Sequence, residues 1–180
     1  FQIAQNPLVL IQLMILKNWM LSLKNKKVLI TGATGGIGNS LVKKFRELDA
    51  TIIATGTNED KLAKIKKEFK EVETKKFKLD EHSKIEEFIE TCQKSMGGLD
   101  ILINNAGITQ DNLSIRLSDD NWKKVLDLNL TSTFLMCKHA IKKMLKNRYG
   151  KIINITSIVA HTGNLGQANY AASKSGIIGF

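Results

Sequence analysis

The chain has 180 residues, is 43% hydrophobic and 24% charged, and carries a formal net charge of +10. That is enough apolar material for one domain with a sizeable core, and too much for disorder. A single proline and no Ser/Gly-rich run exclude an internal linker, and no repeat recurs at a fixed period.

The positive charge is mostly lysine, spread over predicted helices (for example Lys61, Lys64, Lys67, Lys123, Lys142 and Lys146), with Arg46, Arg116 and Arg148 as the arginines. Aromatic residues are not interleaved with these cations, so the pattern is not that of a nucleic-acid platform. Solvated helix faces or an acidic partner fit it better. Cys92 and Cys137 both fall in predicted helices, without metal-ligand spacing. The expectation is a reduced, cytoplasmic protein with no metal site.

Residues 1–22 fit poorly with the rest of the chain and read as a leader or non-native extension, with Met20 as a candidate start, or alternatively as a genuine extra helix. Their apolar run, Leu8–Leu16, is too short to span a bilayer. No Lys or Arg precedes it and no small-residue cleavage site comes after it, so it does not read as a secretory signal or membrane anchor. The domain is expected over residues 23–180.

Val28–Ile30 reads as a buried strand stopped by Gly32. Gly32, Gly35, Gly36 and Gly38 follow, and from Ile37 the apolar spacing becomes helical to about Leu48. Strand, glycine turn and helix start together make a phosphate cradle: glycine admits a close ligand, and the first helical turn offers unpaired N–H groups. The spacing Gly-x-x-x-Gly-x-Gly differs from the G-x-G-x-x-G fingerprint of many dinucleotide sites.

Thr51–Ala54 is the second predicted strand, followed by a helix from Glu59 to about Phe69, capped by Asn58. Thr74–Leu79 reads as a third strand, closed by Asp80, and a helix spans about Ser83 to Ser95. Leu99–Ile103 is a fourth strand, apolar enough to be buried on both faces. After Asn104–Gly107 a loop runs to Ser118, which caps one long predicted helix from Asp119 to about Asn147. Lys151–Ile155 is the fifth strand, Thr156–Gln167 a loop, and a last helix opens near Ala168. Strands alternating with helices predict an α/β, Rossmann-like, doubly wound parallel sheet, with its ligand crevice at the carboxyl ends of the strands.

Tyr170 and Lys174 are one helical turn apart and share a face. A phenol is a poor acid near neutrality, and an ammonium close by stabilises its conjugate base. Ser157 falls just past the fifth strand, where a hydroxyl is placed to hold a carbonyl.

Together, TGATGGIG at Thr31–Gly38, NNAG at Asn104–Gly107, Asn129 within LNL, Ser157 and the Tyr170-x-x-x-Lys174 pair resemble the short-chain dehydrogenase/reductase family. Within it, GITQDNLSIRL and GNLGQANYAASKSGIIGF are similar to the reductases that act on 3-oxoacyl groups of acyl carrier protein in bacterial fatty-acid synthesis. The resemblance implies a catalytic set of Asn129, Ser157, Tyr170 and Lys174. Tyr170 would protonate the carbonyl oxygen, and Lys174 would assist it and hold the nicotinamide ribose. Ser157 would orient the carbonyl, and Asn129 would hold a relay water. Cofactor contacts would come from Gly32, Thr34, Gly36, Ile37, Gly38, Thr57, Asp80, Asn105, Ala106 and Gly107, with Tyr170 and Lys174. Arg148 resembles a position that meets acyl carrier protein.

No acid stands between Ala54 and Asn58, where a carboxylate would bind the ribose 2′-hydroxyl of NAD, so NADPH is expected over NADH. Many NADPH-dependent relatives carry an arginine where this chain has Gly35. Alternative readings are a reductase of another small carbonyl or a CoA thioester, and a nucleotide-binding subunit without chemistry. The family implies a homotetramer, and its members continue through further strands and a substrate lid. Residues 1–180 alone are therefore expected to bind cofactor weakly and turn over little.

Overall fold

The structure, a computed structural model, describes residues 22–180. The extension expected over residues 1–22 lies outside the described residues apart from Ser22.

The described chain begins with strand β1 (Lys27–Ile30), which leads through the glycine turn into helix α1 (Gly36–Glu47). Strand β2 (Thr51–Gly56), helix α2 (Glu59–Glu68) and strand β3 (Glu73–Lys76) follow. Next come helix α3 (Ile85–Met96) and strand β4 (Ile101–Asn104). Helix α4 (Asp119–Leu126) passes through a π turn, Asp127–Thr131, into helix α5 (Ser132–Lys146). Strand β5 (Lys151–Asn154), the short helix α6 (Val159–Thr162) and helix α7 (Ala168–Gly179) complete it. The five strands are parallel, in the order β3-β2-β1-β4-β5. The chain reverses its winding direction between β1 and β4, which is where such sheets open a crevice.

The central strands β1, β2 and β4 are buried on both faces, and the period-two alternation of their residues sorts the core. Leu29, Ile53 and Leu102 point to one face, where Ile85, Ile89, Met136 and Ala140 cover them from α3 and α5. Val28, Ile30, Ile52, Ala54, Ile101 and Ile103 point to the other, under Val42 and Ile65 of α1 and α2. In-register pairing of Leu29 with Ile53 on one side and Leu102 on the other keeps each layer continuous. Both cysteines are free and buried, and burial pushes the Cys92 thiol up to about 12. Burial disfavours the thiolate of both.

The elements match the sequence expectation closely; the fourth strand starts at Ile101 rather than Leu99, and three further differences have a visible cause. The third strand stops at Lys76, short of the expected Leu79. Its only partner among the described residues, β2, ends at Gly56 opposite Lys76, so no ladder remains to extend it. Phe77 instead stacks on Phe88 at a centroid distance of 4.0 Å, and Leu79 is buried beneath α3. The single long helix expected from Asp119 to Asn147 is two helices joined by the π turn. The hydroxyls of Ser132 and Thr133 take up the carbonyls of Leu128 and Asn129 there. The loop expected after β5 contains a short helix, α6. The expected caps hold: Asn58 Oδ1 accepts the Lys61 N–H at 2.8 Å, and Ser118 Oγ accepts that of Asn121 at 3.2 Å. Among the described residues no helix is long and apolar enough to cross a membrane, and no cluster of His, Cys, Asp and Glu is placed to hold a metal ion.

Gly38 is where α1 touches the turn that leaves β1. A Cβ there would lie 2.7 Å from the Ala33 Cα and press on the Gly32 carbonyl, whereas one at Gly36 meets nothing within 4 Å. Gly38→Ala should cost about 1–3 kcal/mol through backbone overlap, lowering Tm by at least about 2 °C. Gly36→Ala should melt close to the parent; equal losses in the two variants would remove the steric account.

Candidate active site

A cavity of about 420 Å³ opens at the carboxyl ends of β1, β2 and β4. The glycine turn, the end of β2 and the Asn105–Gly107 segment line it. Gly32 has φ +64, a left-handed conformation suited to glycine. Its missing side chain matters as well, since a Cβ would sit 2.7 Å from the Ala106 Cα. The turn can thus lie directly on the segment following β4.

Thr31 and Asn105 lock that contact. The buried Thr31 hydroxyl accepts the N–H groups of Asn105 and Ala106 at 3.0 and 3.1 Å and donates to the Ile103 carbonyl at 3.3 Å. Asn105 Nδ2 returns two bonds of 3.0 Å, to the carbonyls of Thr31 and Gly32. Beyond this clasp, the N–H groups of Gly36, Ile37 and Gly38 open α1 with no side-chain cap and no acceptor among the described residues. Free donors at the positive end of a twelve-residue helix, with no Cβ over them at Gly36, fit a pyrophosphate.

Nine of the expected cofactor contacts converge on this cavity: Gly32, Thr34, Gly36, Ile37, Gly38, Thr57, Asn105, Ala106 and Gly107. Asp80 is not among its lining residues. It is exposed in the turn after β3, while its neighbours Phe77 and Leu79 do line the wall.

The second part of the site lies against Gly107. A Cβ on that residue would stand 3.4 Å from both Asn129 Oδ1 and Lys174 Nζ. Asn129 has no exposed surface. Its side chain clasps the Ile108 backbone, accepting the N–H at 2.8 Å and donating to the carbonyl at 2.9 Å. Its Nδ2 also reaches the Ser173 hydroxyl at 3.0 Å, and that hydroxyl donates to the Tyr170 carbonyl at 2.8 Å. The π turn thereby ties the cavity wall to the helix carrying Tyr170 and Lys174.

Lys174 is only 3% exposed, and its ammonium donates to the Ile155 carbonyl at 2.8 Å. Burial holds it below the usual lysine range. It stands 5.8 Å from the centre of the Tyr170 ring, so the pair does share a face. The Thr156 hydroxyl donates to the Lys174 carbonyl at 3.0 Å, stitching the segment after β5 to α7. Ser157 is next in that segment, half-buried, with its hydroxyl accepting the Val159 N–H at 3.3 Å. Arg148 is elsewhere. It is exposed, with φ +51, before the amino end of β5, at the edge of the sheet away from the cavity.

Four residues of the site do not stand out in the sequence. Thr31 and Ser173 look like ordinary members of the turn and the helix. Asn169 is fully buried and binds the Gln110 carbonyl at 3.0 Å, holding the loop after β4 against α7. Lys61, grouped by sequence with the solvated lysines, lines the cavity. Thr31 and Ser173 lie within the recognisable motifs, but nothing in their spacing distinguishes an internal hydroxyl from an exposed one.

The model of the short chain dehydrogenase family matches residues 26–180. The chain is 46% identical over 161 residues to the 3-oxoacyl-(acyl-carrier-protein) reductase of Rickettsia conorii, covering 89% of this chain and 65% of that protein. It is 39% identical over 169 residues to the reductase of the same name from Aquifex aeolicus, covering 89% and 66%. The Vibrio harveyi protein of that name is 42% identical over 162 residues, again covering 89% and 66%. The chain thus spans 65–66% of the length of these relatives. It belongs to the short-chain dehydrogenase family, and its fold and the order of its motifs agree.

The buried polar groups lead to two expected outcomes. Asn129→Ala strands the Ile108 backbone and should destabilise the protein by about 2–3 kcal/mol, seen as a lower urea midpoint. Lys174 sets a pH dependence. The unfolded chain keeps this proton up to about 10.5, while the folded chain releases it earlier. Between those points unfolding takes up a proton, so stability rises with pH. Relative to Lys174→Met, the parent should therefore gain stability as pH rises toward 10.5 in paired denaturation series.

Proposed function

We propose that this protein reduces a 3-oxoacyl thioester carried on acyl carrier protein to the 3-hydroxyacyl thioester, using NADPH. The observation that carries this reading is the buried Lys174 ammonium, held beside the Tyr170 ring at the Gly107 end of the cavity. The names of the relatives supply the substrate class.

The dinucleotide, when bound, supplies the hydride. The clasped glycine turn and the free N–H groups of Gly36, Ile37 and Gly38 would hold its pyrophosphate. Thr34, Thr57, Asn105, Ala106 and Gly107 would pack along it, and Asp80 would approach the adenine edge from outside the lining. No carboxylate lines the cavity to repel a 2′-phosphate, which favours NADPH over NADH.

Ser157 would donate a hydrogen bond to the substrate carbonyl. Tyr170 would give its phenolic proton to the same oxygen as negative charge develops there. Lys174 stabilises the phenolate left behind and binds the nicotinamide ribose. A buried cation does this more strongly than an exposed one, because little water screens it. Asn129 keeps this end of the site in shape and would support the water that returns a proton. The protein would act in the cytoplasm as a homotetramer. Arg148, exposed before β5 and away from the cavity, would meet the acidic carrier, affecting encounter more than chemistry.

Tyr170→Phe tests the assignment. In a version extended to the length of its relatives it should remove most NADPH oxidation with acetoacetyl thioester, a loss of about 10²-fold or more. NADPH affinity should stay within about twofold, since the hydroxyl acts when the carbonyl is protonated. Parent-like turnover by this variant would sink the reading.

A further inference from the structure

We propose that Lys61 selects the cofactor, by pairing its ammonium with the 2′-phosphate of NADPH. This rests on the NADPH reading above and adds the residue that enforces it.

Among the described residues, Lys61 is the only charged side chain lining the cavity. It reaches the wall from the first turn of α2, next to Thr57 at the end of β2. The Asn58 carboxamide fixes that turn by accepting the Lys61 N–H at 2.8 Å. This end of the cavity is continuous with the glycine turn. A Cβ on Gly56 would fall 2.8 Å from both Oγ1 and Cγ2 of Thr34, so the end of β2 and the turn touch. A group attached to a ribose beside Thr57 would therefore lie within reach of the Lys61 side chain.

The charges around Lys61 leave it free. Glu59, two residues earlier, is held by Lys76 at 2.8 Å, and that hydrogen bond keeps its carboxyl below the usual range. Asp60 is exposed and does not line the cavity. Among the described residues, no carboxylate lies within ion-pair distance of the Lys61 ammonium. The glycine turn offers no competing cation, since Gly35 stands open at its tip. A phosphomonoester carries close to two negative charges near neutrality, and a lysine serves it as a point charge. The ribose hydroxyl of NADH offers that ammonium no charge.

The test is binding, independent of turnover. NADPH and NADH are titrated by nucleotide fluorescence into the parent, Lys61→Gln and Lys61→Arg. Adenosine 2′,5′-bisphosphate and adenosine 5′-phosphate are titrated by calorimetry. The parent should prefer NADPH and the bisphosphate, with a preference that shrinks as salt rises. Lys61→Gln should lose about tenfold or more for these two ligands, while NADH and adenosine 5′-phosphate change by less than about twofold. Lys61→Arg should keep most of the preference. Lys61 is exposed, so both variants should melt with the parent. A parent that prefers NADPH together with a Lys61→Gln variant that keeps the preference would overturn the role of Lys61 and leave NADPH standing. Equal loss of all four ligands in Lys61→Gln would also overturn it. No preference in the parent would overturn both readings.

Discussion

Thr31 sits where β1 leaves the sheet, and its hydroxyl accepts two N–H groups from the segment that leaves β4. Parallel strands on either side of a crossover need not end at the same height or face each other once the ladder stops. This buried hydroxyl, with the return bonds from Asn105, brings the two exits together and sets their spacing. The glycine turn can then rest on Ala106 without a side chain between them. The open donors of α1 and the wall that leads to Lys174 both start from that junction.

The same device recurs further along. The buried Asn129, Ser173 and Asn169, with the exposed Thr156, direct their polar atoms to backbone or to one another. Buried polar groups are costly when unpaired and rigidifying when paired. Their joint effect is to fix α7 against the loop after β4 and the segment after β5. The Lys174 ammonium is left with a backbone carbonyl and a phenol ring for company. A cation desolvated in that way is poised to act on a neighbouring charge.

Much of this was legible in the chain itself. Val28–Ile30 is apolar throughout and Leu99–Ile103 at every position but Asp100, which suits strands buried on both faces, and the glycine run between a strand and a helix marked the cradle. What could not be read depends on partners distant in sequence. The end of β3 is set by where β2 stops, which local propensity in Thr74–Leu79 does not contain. The π turn hides within an apolar pattern that continues through it. Thr31, Ser173 and Asn169 are small polar residues whose burial only the assembled layers reveal. Lys61 resembles every other helix lysine until the position of the cavity is known.

The π turn also makes this stretch intolerant of changes in length. A residue added to a helix rotates the next turns by about 100° about the axis. The extra residue wound into Asp127–Thr131 therefore sets α4 and α5 at different phases of one rod. Each phase serves a different neighbour, since α4 packs on α7 whereas α5 packs on α3. Deleting one residue here would yield a more regular helix and turn one of those two faces away from its partner. The irregularity acts as a gear between two packing surfaces, and a helix of ideal geometry would engage only one of them.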